Sequence, residues 1–455
     1  MLSTEENQLL TQVGPGTPMG ELFRRFWLPA MLSEELPGPD CTPVRLRLLG
    51  EDLVAFKDTQ GRTAIVDGFC PHRSAPLFFG RNEESGLRCV YHGWKFDVTG
   101  ACVDMPNCVE GENFRSKVRL TAYPTFDGGG LIWVYMGPPA QRPPHPGYEF
   151  LDKPATHRYA FKYLLECNYA QSLENEFDTG HSAFLHSRLE GAQGARLDNR
   201  WVAAGMRQNR VVDYSKMQIV DTEFGSALIR RWDQQTENGN EVYSIGTPFW
   251  MPCFSAAGAL TAPGTFPLNI KVPVDDQHTA FFRYKWSDEP LTEQMLWEMK
   301  HGGYEFPAVI PGTFTPKENK SNDYLIDRNR QRFYNYTGIS NTPVQDFAVT
   351  ENQRGPVTDR TRETLVSSDK YLIHVRRRLL AAARLLMQGK EPAEPWHPDA
   401  YRQRMRRIQV PPGTAPEEAA RRLLDPESSA ESGNGMWAGM LAGAPAPLAG
   451  SSSQG

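Results

Sequence analysis

The sequence predicts an α+β fold, with a small all-β unit near the N-terminus and then a larger unit in which helices accompany an antiparallel sheet. Three observations predict it. Between about residues 40 and 140, short apolar runs are separated by turn clusters such as Asp58-Thr59-Gln60-Gly61-Arg62. Pro138-Pro139-Ala140-Gln141-Arg142-Pro143-Pro144-His145-Pro146 then interrupts the chain with prolines that exclude a helix or a central strand. Beyond it, two strand-like runs flank Asn238-Gly239, and the apolar residues from Lys370 to Met387 recur at helical spacing. A length of 455 residues exceeds one average domain and fits two or three.

Taken in order, residues 1–39 read as a helical segment, in which Met19 to Pro29 forms a short helix stopped by proline. Residues 40–140 form the all-β unit. Val44-Arg45-Leu46-Arg47-Leu48 alternates, Leu53-Val54-Ala55-Phe56 and Ala64-Ile65-Val66 flank a turn, and Val118-Arg119-Leu120 and Leu131-Ile132-Trp133-Val134-Tyr135 supply further strands around Gly128-Gly129-Gly130. Residues 141–150 are the linker, and residues 151–425 the larger unit. There Ser226 to Trp232 and Glu241 to Ile245 read as a hairpin, and the late helix carries Arg376, Arg377 and Arg384 on a face expected to be solvated. Residues 426–455, rich in Ser, Gly, Ala and Pro, are expected to be a mobile tail.

Composition excludes several classes of function. A net charge of -5 without a basic run leaves no electrostatic footprint for nucleic acid. No basic stretch followed by an apolar one opens the chain, and no window of about 18 apolar residues occurs, so a cytoplasmic location is expected. The 7 cysteines are too few and too scattered for a disulfide framework. No G-x-G-x-x-G follows a strand, so the chain lacks a dinucleotide site of its own.

Two of those cysteines carry the chemistry. Cys70-Pro71-His72-Arg73 and Cys89-Val90-Tyr91-His92-Gly93-Trp94 offer two thiolates and two imidazoles on two short loops, a four-ligand metal site. Zinc accepts such a set at one tetrahedral ion, but zinc modules usually pair Cys with Cys and His with His. One Cys and one His per loop suits a 2Fe-2S cluster, with Cys70 and Cys89 on one iron and His72 and His92 on the other. Neutral imidazoles in place of thiolates raise the potential of such a cluster and make it an electron relay. Downstream, Glu174-Asn175-Glu176-Phe177-Asp178-Thr179-Gly180-His181-Ser182-Ala183-Phe184-Leu185-His186 holds a D-x2-H-x4-H pattern. His181 and His186 are five apart and converge only if a helix is distorted there or ends at the second. With one distant carboxylate they would make the facial triad of a non-heme Fe(II) oxygenase, leaving positions open for O2.

These motifs resemble the α subunit of the Rieske non-heme iron ring-hydroxylating oxygenases, in the α-only branch that includes phthalate 4,5-dioxygenase and aromatic O-demethylases. The resemblance runs from about Glu5 to the end of the late helix. It implies an N-terminal all-β Rieske domain and a helix-grip-like catalytic domain of helices and antiparallel sheet. It implies that Cys70, His72, Cys89 and His92 hold the cluster, and that His181, His186 and a downstream acid, Asp346 in Pro343-Val344-Gln345-Asp346-Phe347, hold mononuclear Fe(II). Glu351, Asp359 and Asp369 are neighbouring carboxylates. Asp178 is expected to bridge, accepting hydrogen bonds from His181 and from His92 of a neighbouring subunit in a homotrimer or hexamer; Asn175 matches a polar position near the iron. The expected substrate is an aromatic carboxylate used with O2 and with electrons that NADH supplies through a separate reductase. Arg207, Arg210, Arg230 and Arg231 are arginines of the region where its pocket is expected, and Phe249, Trp250 and Phe254 its aromatic residues. Ring dioxygenation and mono-oxygenation with O-demethylation both stay open, and an electron carrier without catalysis is the third reading.

Overall fold

The computed structural model describes residues 1–109, 112–178, 180–189, 214–232, 239–256, 264–303, 306–425 and 431–432. Ser3 and Glu6 close a capping box on the helix Thr4–Thr11, and Thr17 caps the helix Pro18–Phe23, which has its proline in the first turn. The helix expected to run on to Pro29 stops at Phe23 instead, and Trp27–Leu32 is a strand paired with Leu131–Tyr135. All six of its residues are buried, so no polar face is available for a surface helix. Pro29 is tolerated because this is an edge strand whose register shifts between Pro29 and Met31.

The small β unit follows as a four-stranded antiparallel sheet of Val44–Leu48, Glu51–Lys57, Thr63–Asp67 and Ala122–Tyr123, and a second of Arg81–Glu83, Gly86–Arg88, Lys95–Phe96 and Cys102–Asp104. Val54, Phe56, Val66, Leu77, Leu87 and Phe96 form its core, which also encloses Cys70 and Cys89. Val118–Leu120, expected as a strand, contributes only the isolated bridge between Ala101 and Arg119. The proline-rich stretch is docked along the β unit: Trp27 Nε1 donates to the Pro143 carbonyl at 3.1 Å, and His145 stacks on Phe126 at 3.9 Å.

In the larger unit the described strands run in the order Arg158–Leu165, Thr279–Ser287, Thr265–Pro273, Phe254–Ser255, Glu241–Trp250, Gly225–Trp232 and Met217–Thr222, all antiparallel. The expected hairpin is there, with Arg230 opposite Ser244. The late helix spans Lys370–Met387 and buries Tyr371, Val375, Leu379, Leu380 and Ala383. It packs on the helices Pro18–Phe23 and Tyr169–Phe177. One continuous core joins Leu10, Phe23, Trp133, Phe254 and Val375, so the N-terminal helices are built onto the larger unit.

The arginine face of the late helix departs from expectation at one position. Arg377 and Arg384 are exposed, but Arg376 is only 3% exposed. Its Nε donates to Glu174 Oε1 at 2.9 Å and its Nη1 to Glu363 Oε2 at 2.7 Å, while the fully buried Arg360 grips Glu174 from the other side at 3.0 Å. A buried acid matched to two guanidinia removes the solvation cost that kept this arginine on the surface in the sequence reading. The expected tail, 426–455, lies outside the described residues except for Glu431–Ser432, which pairs with Arg406 and Arg407. Among the described residues no helix is long and apolar enough to cross a membrane.

Candidate metal centres

The two ligand loops are conformational copies. In the first, the Cys70 N–H donates to the Ala75 carbonyl and the Ser74 N–H to the Cys70 carbonyl, both at 2.9 Å. In the second, Cys89 N–H donates to Trp94 O at 2.8 Å and Gly93 N–H to Cys89 O at 3.0 Å, the same two offsets. Each turn requires a left-handed residue four positions after its cysteine, Ser74 at φ 54° and Gly93 at φ 78°. At Gly93 space demands glycine as well, since a Cβ would lie 2.7 Å from Pro106 Cγ.

The loops bury Cys70 and Cys89, at 2% and 3% exposure, and leave His72 and His92 half-buried with ring centroids 4.4 Å apart. Trp94 stacks on His72 at 4.4 Å and anchors its indole N–H on Asn107 at 2.6 Å. Burial, and then the adjacent Cys89, push the Cys70 thiol up to about 11, against the pull of a hydrogen bond from the His72 backbone; two thiolates here need a cation to sustain them. His72 Nδ1 is buried and has no hydrogen-bond partner. A single tetrahedral zinc would draw all four donors to within about 4 Å of one another. Among the described residues, the one group of three or more such donors lying within 4.8 Å of each other is elsewhere in the chain. A sulfur pair inside and an imidazole pair outside fit a two-iron cluster better than one ion.

That other group is His181, His186 and Asp346. The helix Tyr169–Phe177 ends at Asp178, and a new four-residue helix, Ser182–Leu185, has His181 and His186 as its flanking residues. The break gives two histidines five apart a common focus. Asp346 comes from the helix Thr342–Thr350, which Asn341 caps and Pro343 starts. Its Oδ1 lies 3.2 Å from His186 Nε2 and 3.6 Å from His181 Nε2.

The protons of this triad are determined by its neighbours. His181 Nδ1 lies 2.7 Å from the main-chain carbonyl of Asp178, an acceptor only, so Nδ1 carries hydrogen. His186 Nδ1 lies 2.8 Å from Gln345 Oε1, and Gln345 is oriented because its Nε2 donates to Ile339 O at 2.8 Å. Each neutral ring therefore turns a lone pair from Nε2 toward Asp346 Oδ1, itself buried without a hydrogen-bond partner. Three converging lone pairs call for a cation, and the spacings match the roughly 3 Å between neighbouring ligands whose metal bonds are about 2.1 Å. Burial opposes ionisation of the Asp346 carboxyl, while a proton on His186, then one on His181, and a hydrogen bond from Asn175 favour it; a cation held by the neutral rings would take over that role.

Asp178 sits between this triad and the surface. Its Oδ1 accepts the Gly180 N–H at 2.8 Å and the His181 N–H at 3.3 Å, while Oδ2 lies 3.9 Å from His181 Nδ1. The expected link from its carboxylate to the His181 ring is thus made by its main-chain carbonyl. Its side chain is 33% exposed and lines a cleft of about 310 Å³ with Asn175, Arg354 and Arg362.

The alternative carboxylates stay apart from the triad. Glu351 accepts from Tyr324 Oη at 2.6 Å and Glu166 N at 2.7 Å, and Asp359 and Asp369 cap short turns at Thr361 and Val366. Arg207 and Arg210 lie outside the described residues. Arg230 covers Trp232 at 4.0 Å, Arg231 points to Glu241 at 3.9 Å, and Phe249, Trp250 and Phe254 are core residues.

Sequence reasoning passed over Gln345 and the inner face of the sheet, where Asn269 and Lys271 lie buried beside Glu176, with Lys271 Nζ 3.0 Å from Glu176 Oε1. Directly across the strands Arg283 faces Asn269, and Lys271 and Arg283 line a small cavity with Asp346. The alternation in Leu268-Asn269-Ile270-Lys271-Val272 is visible in the sequence, but an ordinary solvated strand face looks the same.

A Rieske [2Fe-2S] domain family matches residues 26–124, and a family described as LigXa C-terminal domain like matches residues 134–407. The chain is 38% identical over 405 residues, 86% of its length and 88% of the relative's, to the phthalate 4,5-dioxygenase oxygenase subunit of Pseudomonas putida. It is 34% identical to the 3-chlorobenzoate-3,4-dioxygenase oxygenase subunit of Comamonas testosteroni, over 84% of this chain and 89% of that one. The 5,5'-dehydrodivanillate O-demethylase oxygenase subunit of a Sphingobium strain is 32% identical, over 86% and 83%. Among solved structures, dicamba monooxygenase with dicamba bound superposes at a TM-score of 0.54 and 18% identity, covering 80% of this chain and 98% of that one, a likeness of fold.

Proposed function

This chain belongs to the Rieske non-heme iron oxygenases, as a terminal oxygenase of the aromatic-oxidising kind, and on that premise we propose that it dihydroxylates an aromatic carboxylate in the manner of a phthalate dioxygenase. The observation that carries the reading is the pair of relatives at 38% and 34% identity, both named for a benzene carboxylate as substrate. Arg283 is the arginine we assign to that carboxylate: it is buried, it lines with Asp346 a cavity of about 10 Å³ that would have to widen to admit an aromatic ring, and its guanidinium has the planar donor geometry that carboxylates bind.

In this reading Cys70, Cys89, His72 and His92 hold the cluster, and His181, His186 and Asp346 hold the mononuclear iron. Bound there, the two groups supply one-electron storage and dioxygen activation. The chain's own residues do the rest. Asn175 holds the Asp346 carboxylate, the Asp178 carbonyl and Gln345 fix the two imidazole rings, and Asp178 offers a carboxylate to the cleft at the surface. The half-buried His92, flanked by the exposed Val90 and Tyr91, would meet Asp178 of a neighbouring subunit in a trimeric ring, and a separate reductase fed by NADH would supply electrons.

Mono-oxygenation with loss of a methyl group is the second reading, favoured by the O-demethylase subunit at 32% identity. Incubation of the purified protein with a surrogate reductase, NADH and a panel of phthalate, chlorobenzoates and methoxybenzoates separates them by product mass. Two added oxygens on a carboxylate support the first reading, formaldehyde release the second, and turnover confined to uncharged aromatics overturns the carboxylate.

A further inference from the structure

Among the described residues, the Nδ1 atoms of His181 and His186 each face a neutral oxygen within hydrogen-bond distance. The His181 ring donates to a main-chain carbonyl, and His186 to the side-chain amide oxygen of Gln345. The buried cation Lys271 is matched by Glu176 at 3.0 Å rather than by Asp346. A histidine ligand commonly donates its second N–H to a carboxylate, which would feed electron density into the ring; an amide fixes the ring and adds no charge.

We infer that Gln345 is a positioning residue of the mononuclear centre, which selects the His186 tautomer and aims Nε2 at the metal through its Oε1. The inference rests on the reading of the triad as metal ligands. The geometry restricts Gln345 to that role. It is 4% exposed, its Nε2 is committed to Ile339 O at 2.8 Å, and its Oε1 faces the His186 Nδ1 hydrogen at 2.8 Å. Reversal of the amide would set two donors against each other at His186 and two acceptors at Ile339. The same amide ties the metal-ligand helix to the turn at Ile339, so a purely structural duty is the competing account. Glutamate separates the two, because it keeps an acceptor for His186 and gives up the amide donor to Ile339.

The test uses full-length protein from which a chelator has stripped the mononuclear metal while the cluster, followed by its visible absorption, is kept. Co(II) is then titrated into wild type, Gln345→Leu and Gln345→Glu, and its dissociation constant and ligand-field bands are recorded. Wild type takes up one Co(II). Q345L binds it about 10- to 100-fold more weakly with altered bands, and Q345E binds within a few-fold of wild type. If wild type takes up no Co(II), the ligand triad itself is wrong. If wild type binds and Q345L binds equally well, or if Q345E is as weak as Q345L, the role assigned to Gln345 is overturned.

Discussion

Glu174→Gln gives the sharpest energetic test of this structure. Glu174 accepts from Arg360 Nε at 3.0 Å and Arg360 Nη2 at 3.0 Å, and from Arg376 Nε at 2.9 Å. The two arginine side chains are 0% and 3% exposed and the acid 13%, so water can replace the lost partner only from the side of the cleft that Glu174 lines. Replacing the acid by an amide leaves Arg376 paired with Glu363 and the buried Arg360 with only two neutral acceptors, Asn7 Oδ1 and the Thr358 carbonyl. Breaking one partner out of a buried ion network costs about 3–5 kcal/mol, which lowers the unfolding midpoint by roughly 10 °C for a unit of this size. Burial works to raise the Glu174 pKa, but Arg360 and then Arg376 overcome it and hold the carboxyl below its ordinary value of 4.5. A depressed folded pKa contributes stability that is present in full above the unfolded value and is lost as pH falls through the folded one. The difference between wild type and E174Q is therefore constant from about pH 5.5 to 8 and shrinks below pH 4.5. Urea unfolding followed by tryptophan fluorescence at several pH values measures it. A loss under about 1 kcal/mol at pH 7, or a difference that grows on acidification, would refute the buried network. Replacement of Glu174, Arg360 and Arg376 by leucine together with Glu363 by glutamine is expected to recover much of the loss, since the carboxylate that Arg376 also holds is then not stranded.

Four further outcomes are expected. Asp178→Asn keeps both metals, because the link to the His181 ring is a main-chain carbonyl, and loses more than about 90% of turnover if its carboxylate carries the contact between subunits; iron counting and steady-state rates read the two separately. Asp346→Ala lowers iron from three to two per chain and leaves the cluster's visible spectrum intact; loss of the cluster as well would mean that the two centres are not independent. Gly93→Ala places a methyl group 2.7 Å from Pro106 Cγ at a left-handed φ of 78°, so the purified variant is expected to contain little cluster by absorbance and sulfide analysis. Arg283→Met raises KM for carboxylated aromatics by about 10-fold or more and leaves methyl esters nearly unaffected; equal effects on both would remove Arg283 from substrate recognition.

Much of the site was legible in the chain because metal ligands come in short, chemically distinctive sets. Cys70, His72, Cys89 and His92 stand out for their spacing alone, and His181 and His186 for theirs. Asp346 was legible only through resemblance, since nothing in Pro343-Val344-Gln345-Asp346 distinguishes it from Glu351 or Asp359 until the helix Thr342–Thr350 carries it to within 3.2 Å of His186. Gln345, Lys271 and Glu176 were illegible because an amide beside an acid, or a lysine in an alternating strand, reads as ordinary surface.

Local physical chemistry is written in the sequence: the period of the Lys370–Met387 helix, the prolines of the linker, the two loops whose fifth residues had to accept a left-handed turn, and the ligand types that choose iron. Tertiary structure decided whatever depends on which surfaces meet. It turned Trp27–Leu32 from a helix into an edge strand, drew Arg376 inward to meet Glu174, and set the His181 and His186 lone pairs against an orphaned carboxylate oxygen. The reason is range. Propensity and spacing act over a few residues, whereas burial energy and the pairing of charges depend on partners up to hundreds of positions away, and only the folded chain brings them together.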